Sequence, residues 1–212
     1  MAASQLGVYN KALRWLEERP LGSLTEKREP RYLLDAEWSD AIATVLQSGF
    51  WKFGLRMVMA NPDTTSVPNF GRKYSYTKPG DWVRTYQLSQ DDRFILLDRE
   101  YIDGNGTWFS DLPYFYVRYV SNDPNFGMNM GLWGQAFVEY LGCYLAWTIC
   151  PRIKQALDKK QDLEKSLTRA KAHALAIDAM DAPVGKIPVG VWVQSRIPRG
   201  SVYPWGGGFL GD

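Results

Sequence analysis

The chain has 212 residues, 45% hydrophobic and 23% charged, with a formal net charge of +2. This is the profile of a soluble globular protein with room for one sizeable core or two small ones. Nothing is basic enough to indicate tight nucleic-acid binding, which needs Lys and Arg clustered on one face.

Gln5 to Arg19 places Leu6, Tyr9, Leu13 and Leu16 on one helical face, and Pro20 stops that helix. A polar link, Gly22 to Arg28, leads to Pro30, which suits the first turn of a second helix. There Leu34, Trp38, Ala41 and Val45 recur at four- and three-residue steps, with Gly49 as a natural stop. Two amphipathic helices joined by a short link predict an antiparallel hairpin.

The period then changes. Phe53, Leu55, Met57 and Met59 alternate as in a half-buried strand. Asn61 to Arg72, rich in Pro, Asn, Ser and Thr, reads as a loop. Trp82, Arg84, Tyr86 and Leu88 then share one strand face, with Val83 and Thr85 on the other. Phe94 to Leu97 is a short apolar run. Asp103-Gly104-Asn105-Gly106 is a hairpin signal, since Gly and Asn tolerate positive φ. Trp108 and Phe109 resume a strand. In the last one, Phe115, Val117 and Tyr119 alternate against Tyr114, Tyr116 and Arg118.

Helical spacing returns after Asp123-Pro124, which reads as an N-cap and a first-turn proline. Phe126, Met130, Trp133, Phe137, Tyr140 and Tyr144 follow along one face, and Pro151 marks a kink or end. Met128 to Cys150 is about as long as a membrane span, but it carries Asn129, Gln135, Glu139 and the glycines 131, 134 and 142. A doubly buried helix is the reading. Within it, Cys143 and Cys150 would lie about 10 Å apart along the axis, too far to bridge. They read as buried thiols of a protein made in the cytoplasm, consistent with Met1 to Ser4 lacking the regions of a signal peptide. In a fourth helix, Leu163, Leu167, Ala170, Ala174 and Ile177 form a narrow stripe suited to a bundle.

The fold expected is therefore α+β. It is mainly an antiparallel bundle of about four helices, with a small antiparallel sheet inserted and an extended C-terminal arm. The divisions are 1–50, a helical hairpin; 51–122, the β insertion; 123–182, the C-terminal helices; and 183–212, the arm. The arm is rich in Gly and Pro and cannot build a core, yet it carries Trp192, Tyr203, Trp205 and Phe209. Such a segment is either a strap on its own bundle or an arm that docks on another subunit or partner. The overall aromatic share, 14% with nine Trp and twelve Tyr, serves cores and interfaces alike.

Catalytic constellations are hard to assemble. His173 is the one histidine, which leaves neither a His-based triad nor a zinc site. Gly206 to Gly208 precede no helix and cannot cradle phosphates. Carboxylates remain, with the doublets Glu17-Glu18 and Asp91-Asp92, but adjacent residues on a helix point apart and supply no paired-carboxylate cleft. Solvated charge is the reading, and no catalytic residue, cofactor or metal is expected. Arg14, Arg19, Lys27, Arg28 and Arg31 are interleaved with Glu17, Glu18, Glu26 and Glu29, which favours intersubunit salt bridges or a solvated face over a phosphate track.

Asn10 to Gly54, NKALRWLEERPLGSLTEKREPRYLLDAEWSDAIATVLQSGFWKFG, resembles the N-terminal signature of the tail tubular protein A family. Lys78 to Arg84, KPGDWVR, resembles that family's Pro-x-Asp-Trp strand entry, and Tyr116 to Asp123, YVRYVSND, its final strand. Glu17 departs from the pattern, which commonly has Gly there. The resemblance implies a structural head-to-tail adaptor of short-tailed phages, present in the virion neck as a ring of twelve copies. Its partners would be the portal protein, a tail nozzle of the tail tubular protein B type and its own copies. DNA would pass non-specifically through the lumen, and no membrane is involved. In that setting Trp192, Tyr203, Trp205 and Phe209 are portal-binding residues, and the β insertion faces the nozzle. A virion-associated peptidoglycan hydrolase using carboxylates such as Glu18 or Glu26 is the alternative.

Overall fold

Ser4 opens the first helix by accepting the Gly7 amide on its side chain at 3.2 Å. The computed structural model describes residues 3–181 apart from 65–67, 69–70, 96, 99, 105 and 155–156. Helix α1 (Gln5–Trp15) buries Val8, Tyr9, Ala12 and Leu13. It ends four residues short of Arg19, before Pro20 can act. Glu17 enters the left-handed region at φ +56°, and the amides of Glu17 and Glu18 return to the carbonyls of Arg14 and Leu13. These paired bonds are a Schellman ending. Helix α2 (Glu29–Gln47) carries Pro30 in its first turn and buries Leu34, Ala41, Ile42, Val45 and Leu46.

The two helices do not make a self-contained hairpin. Each packs chiefly on α3 (Gln135–Ile153). They meet where the Tyr9 ring edge faces Trp38 and the Tyr9 hydroxyl donates to Asp35 at 2.8 Å. The cause lies in α3, whose buried residues include Phe137, Val138, Tyr140, Leu141, Cys143, Leu145, Ala146 and Cys150. A helix apolar on all sides must sit between others. Cys143 and Cys150 are free thiols and both buried.

Helix α3 starts at Gln135, well after Asp123-Pro124. Asp123 instead closes a turn, its carbonyl taking the Phe126 and Met128 amides and its side chain the Asn125 amide. Gly127 is pressed against the Ser121 carbonyl and Leu46, with no room for a Cβ. A helix begun at Pro124 would break this close approach. Pro151 falls in the last turn of α3. Helix α4 (Leu157–Met180) returns alongside, burying Leu163 and Ala174, while Ile177 stays 40% exposed. Near its end the Lys52 amide donates to Asp178 at 3.0 Å. Among the described residues no helix is long and apolar enough to cross a membrane.

Between α2 and α3 lie the strands β1 (Leu55–Ala60), β2 (Tyr74–Thr77), β3 (Trp82–Ser89), β4 (Leu97–Asp98), β5 (Ile102–Asp103), β6 (Thr107–Ser110) and β7 (Phe115–Ser121). They form two antiparallel sheets, ordered β1-β7-β3-β4 and β2-β6-β5. The β5–β6 hairpin turns where the Gly-rich tetrad predicts it, with the Gly104 amide on the Thr107 carbonyl and Gly106 at φ +74°. Asn105 of that tetrad lies outside the described residues.

Two apolar clusters result. One lies among the helices. The other joins Tyr76, Leu88, Trp108, Phe115, Val117 and Tyr119 of the β region. Strand β7 serves both, sending Phe115, Val117 and Tyr119 to the second and Val120 to the first. The whole is α+β, four helices with small antiparallel sheets inserted. Met1–Ala179 is one compact unit and Met180–Asp212 another. Within the second, residues 182–212, including Trp192, Tyr203, Trp205 and Phe209, lie outside the described residues.

Candidate assembly surfaces

Lys78 to Arg84, the segment picked out in the sequence, organises the β region. Lys78 has a nearly buried side chain whose ammonium sits 3.6 Å from the centre of the Trp82 ring and pairs with Asp103. It also donates to the Gly104 carbonyl at 2.9 Å. Thr85 receives the indole N–H groups of both Trp82 (3.1 Å) and Trp108 (2.8 Å), and donates to Asp103 at 2.8 Å. A charge this deep costs several kcal/mol unless paired and hydrogen-bonded, as it is here. The cluster ties β3 of the first sheet to β5 and β6 of the second.

Asp81 does the equivalent for β1 and β7. Arg56 donates to it at 2.9 Å and Tyr119 at 3.1 Å, and Ser121 donates as well. Burial alone would raise the Asp81 carboxyl, but the hydrogen bonds from Ser121, Arg56 and Tyr119 outweigh it and hold the group below the ordinary carboxylate value. Burial and the adjacent Asp81 charge push the Tyr119 hydroxyl up to about 12. Arg84 links the sheet to the helices, lying 4.2 Å from the Phe50 ring centre and donating to the Gln47 carbonyl at 3.1 Å.

These ties leave a rigid sheet with one face open in part. In the β1–β7 register Val58 stands opposite Val117 and Ala60 opposite Phe115, on the buried side. Met57 stands opposite Arg118 and Met59 opposite Tyr116, on the other side. Toward the helices that second side is covered, Leu55 and Val120 joining the helical cluster. Farther out it is bare, with Met57 57%, Met59 50% and Tyr114 48% exposed. Arg118 extends over the same area, its guanidinium 3.8 Å from the Phe94 ring centre. Strand β1 is also an edge, paired on one side by β7 alone. The sequence expectation of a half-buried strand holds, but its methionine face is the outer one. Alternation shows which residues share a side and not which side is inside.

Strand β3 departs from its expected faces as well. Register shifts between Trp82 and Arg84, and between Thr85 and Gln87, interrupt the alternation. Trp82, Thr85 and Leu88 consequently turn toward the β cluster, while Arg84 and Tyr86 are exposed.

Of the carboxylates weighed for chemistry, Glu17, Glu18, Glu26 and Asp91 are engaged in structural bonds, and Asp92 is exposed. Glu17 pairs with Lys159 at 2.5 Å and Glu18 with Lys154 at 2.8 Å, tying the end of α1 to the α3–α4 turn. Glu26 accepts the Gly22 amide at 2.7 Å and lies 3.7 Å from Arg28. Asp91 accepts the Arg93 and Ile95 amides, closing the β3–β4 turn. His173 is exposed on α4. A cavity of about 420 Å³ beside β6 is lined by Arg72, Glu100 and Asp111, with Arg72 already paired to Asp111 at 2.7 Å. No group of residues suited to a metal ion occurs among the described residues. No family model matches the chain, and no curated protein matches it.

Proposed function

We propose that the chain is a structural head-to-tail adaptor of a phage virion, assembling as a ring between the portal and the tail nozzle with DNA passing through the lumen. The observation that carries this reading is the outer face of β1 and β7. A braced sheet presents Met57, Met59 and Tyr114 to solvent on the part of that side the helices leave bare. An exposed apolar patch on a rigid frame is the anatomy of a protein contact. The frame is built by Lys78, Asp81, Trp82 and Arg84, the residues through which the chain resembles the adaptor family. In the ring this face meets the nozzle, and the arm of residues 183–212 docks on the portal through Trp192, Tyr203, Trp205 and Phe209. The net charge of +2 suits a channel in which DNA must slide, since a strongly basic wall would grip its phosphates.

Sedimentation velocity of the chain with its cognate portal ring tests the reading. A shift of the chain into a larger complex supports it, and indifference to the portal refutes it. Alanine at both Trp192 and Trp205 should weaken portal capture about a hundred-fold if they are buried anchors. Glutamate at Met57 and Met59 should leave portal capture intact and abolish nozzle addition, read by electron microscopy of assembled tails.

A further inference from the structure

The outward faces of α2 and α4 carry opposite charge and matching relief. On α2, Ala36, Asp40, Ala43 and Gln47 are exposed at steps of four, three and four, with Glu37 alongside. On α4, Lys165, Arg169, Ala172, Ala176 and Ala179 are exposed on the side opposite Leu163 and Ala174. Several charges of these helices are compensated within the chain. Arg31 pairs with Asp35, Glu29 with Arg152, Lys159 with Glu17, and Lys165 weakly with Asp162. Among the described residues Glu37 and Asp40 on α2, and Asp158, Lys160, Glu164, Arg169 and Lys171 on α4, make no ion pair.

Both helices run antiparallel to α3, and hence in the same direction. At one end Glu29 meets Arg152 of α3, and at the other Ser48 meets Tyr140. Helix α4 leaves the C-terminal end of α3 and returns until Leu175 lies over Gly49. Counting back from that common height at about 1.5 Å per residue, Asp40 is level with Ser166, between Lys165 and Arg169. Ala43 is level with Arg169, and Gln47 with His173 beside Ala172. The acidic half of α2 therefore stands at the height of the basic half of α4, and Ala43 lies within about one turn of the height of Ala172. Of the acidic residues on the α4 face, Asp158 is level with Tyr32, away from the acidic half of α2, and Asp162, level with Ala36, is paired with Lys165.

We infer that α2 of one copy packs against α4 of the next, Asp40 and Glu37 facing Lys165 and Arg169, with Ala43 closing on Ala172. The occupant of each face is a second copy of this chain. This rests on the ring reading above: neighbours in a closed ring with helices along its axis are related by rotation without rise, so groups at one height stay at one height. The contact is heterologous, one face meeting a different face, which is the kind that generates rings. Small side chains let two helices approach to the short end of the 8–10 Å range, where charges at their margins come within pairing distance. A single helix pair buries less than the 1,200–2,000 Å² typical of stable complexes, so isolated copies associate weakly and join firmly only when a portal gathers them.

The test uses full-length chain. Asp40→Lys and Arg169→Glu should each weaken self-association at least ten-fold by sedimentation, and the double exchange should restore most of it. In a separate variant carrying both Ala43→Cys and Ala172→Cys, oxidation should yield a ladder beyond the dimer, whereas either single cysteine should stop at dimers. Melting curves for every variant establish that loss of association is not loss of fold. If oligomers form on the portal but the exchanges have no effect and no ladder appears, the α2–α4 contact is overturned while the adaptor reading stands. If the parent chain neither self-associates nor joins the portal, both fall together.

Discussion

Glu17 sits at φ +56° because the Schellman ending of α1 demands a left-handed residue there. For a residue with a Cβ that conformation costs about 1–2 kcal/mol, and glycine is the usual occupant. It is also the residue common at this place in the pattern the chain resembles. Glu17→Gly should raise stability by about 1 kcal/mol, the strain relieved exceeding the greater freedom of glycine in the unfolded chain. Glu17→Gln, which loses only the exposed pairing with Lys159, should leave it close to that of the parent. Urea denaturation curves with unchanged slope would measure both. Lys78 lies at the other extreme of burial. Lys78→Met leaves the Asp103 carboxylate without its cation beside two indoles, and should cost about 2–4 kcal/mol by the same measurement.

Asp81 makes the β region acid-sensitive. Its folded-state pKa is below the unfolded value, so its contribution is present above the unfolded pKa of about 3.9 and is lost as pH falls through the lower folded value. Tyr119 works at the opposite end. Its folded pKa is raised to about 12, so its contribution is whole below about 10 and disappears as pH rises through 12. Near-ultraviolet circular dichroism should show the β aromatic signal fading first on both flanks. In Asp81→Asn the acid sensitivity should shrink.

At the scale of elements, the turn before α3 depends on one close approach. The Gly127 amide donates to the Ser121 carbonyl at 3.1 Å, and the space for a Cβ is occupied by that carbonyl and Leu46. Gly127→Ala should therefore cost about 1–3 kcal/mol by overpacking, seen as a lowered melting temperature. The same turn explains why α3 begins at Gln135 although apolar residues recur at helical spacing from Phe126. Phe126 lies against Arg56, and Trp133 donates its indole N–H to the Gly127 carbonyl at 2.9 Å. Those residues satisfy the helical period while Phe126 is held by the neighbouring sheet and Trp133 by the turn and the helices. The two register shifts in β3 have the same origin, since Thr85 must turn inward to collect two indoles and Asp103.

For the whole molecule, the division at Met180 carries the expectation that folding and docking are separable. Deleting 183–212 should leave the melting temperature of the remainder within a few degrees of the parent while abolishing portal capture. Calorimetry and co-sedimentation would check the two halves of that statement. In the adaptor reading three surfaces have three tasks, with the arm for the portal, the α2 and α4 faces for neighbouring copies and the Met57–Met59 face for the nozzle.

Much of the fold was legible from residue order. The helical faces of α1, α2 and α4, the inner face of β7 and the Gly-rich hairpin are local consequences of period and turn chemistry, which depend on residues a few places apart. Lys78 to Arg84 could be picked out as a motif, but its work could not be read. Lys78 bonds to Asp103 across 25 positions and Asp81 to Tyr119 across 38. Tertiary structure alone decided three things: that Met57 and Met59 face outward, that α1 and α2 pack chiefly on α3, and that the carboxylates just after α1 pair with lysines beyond α3. Each is a choice between partners distant in the chain, and periodicity carries no information about which distant partner wins.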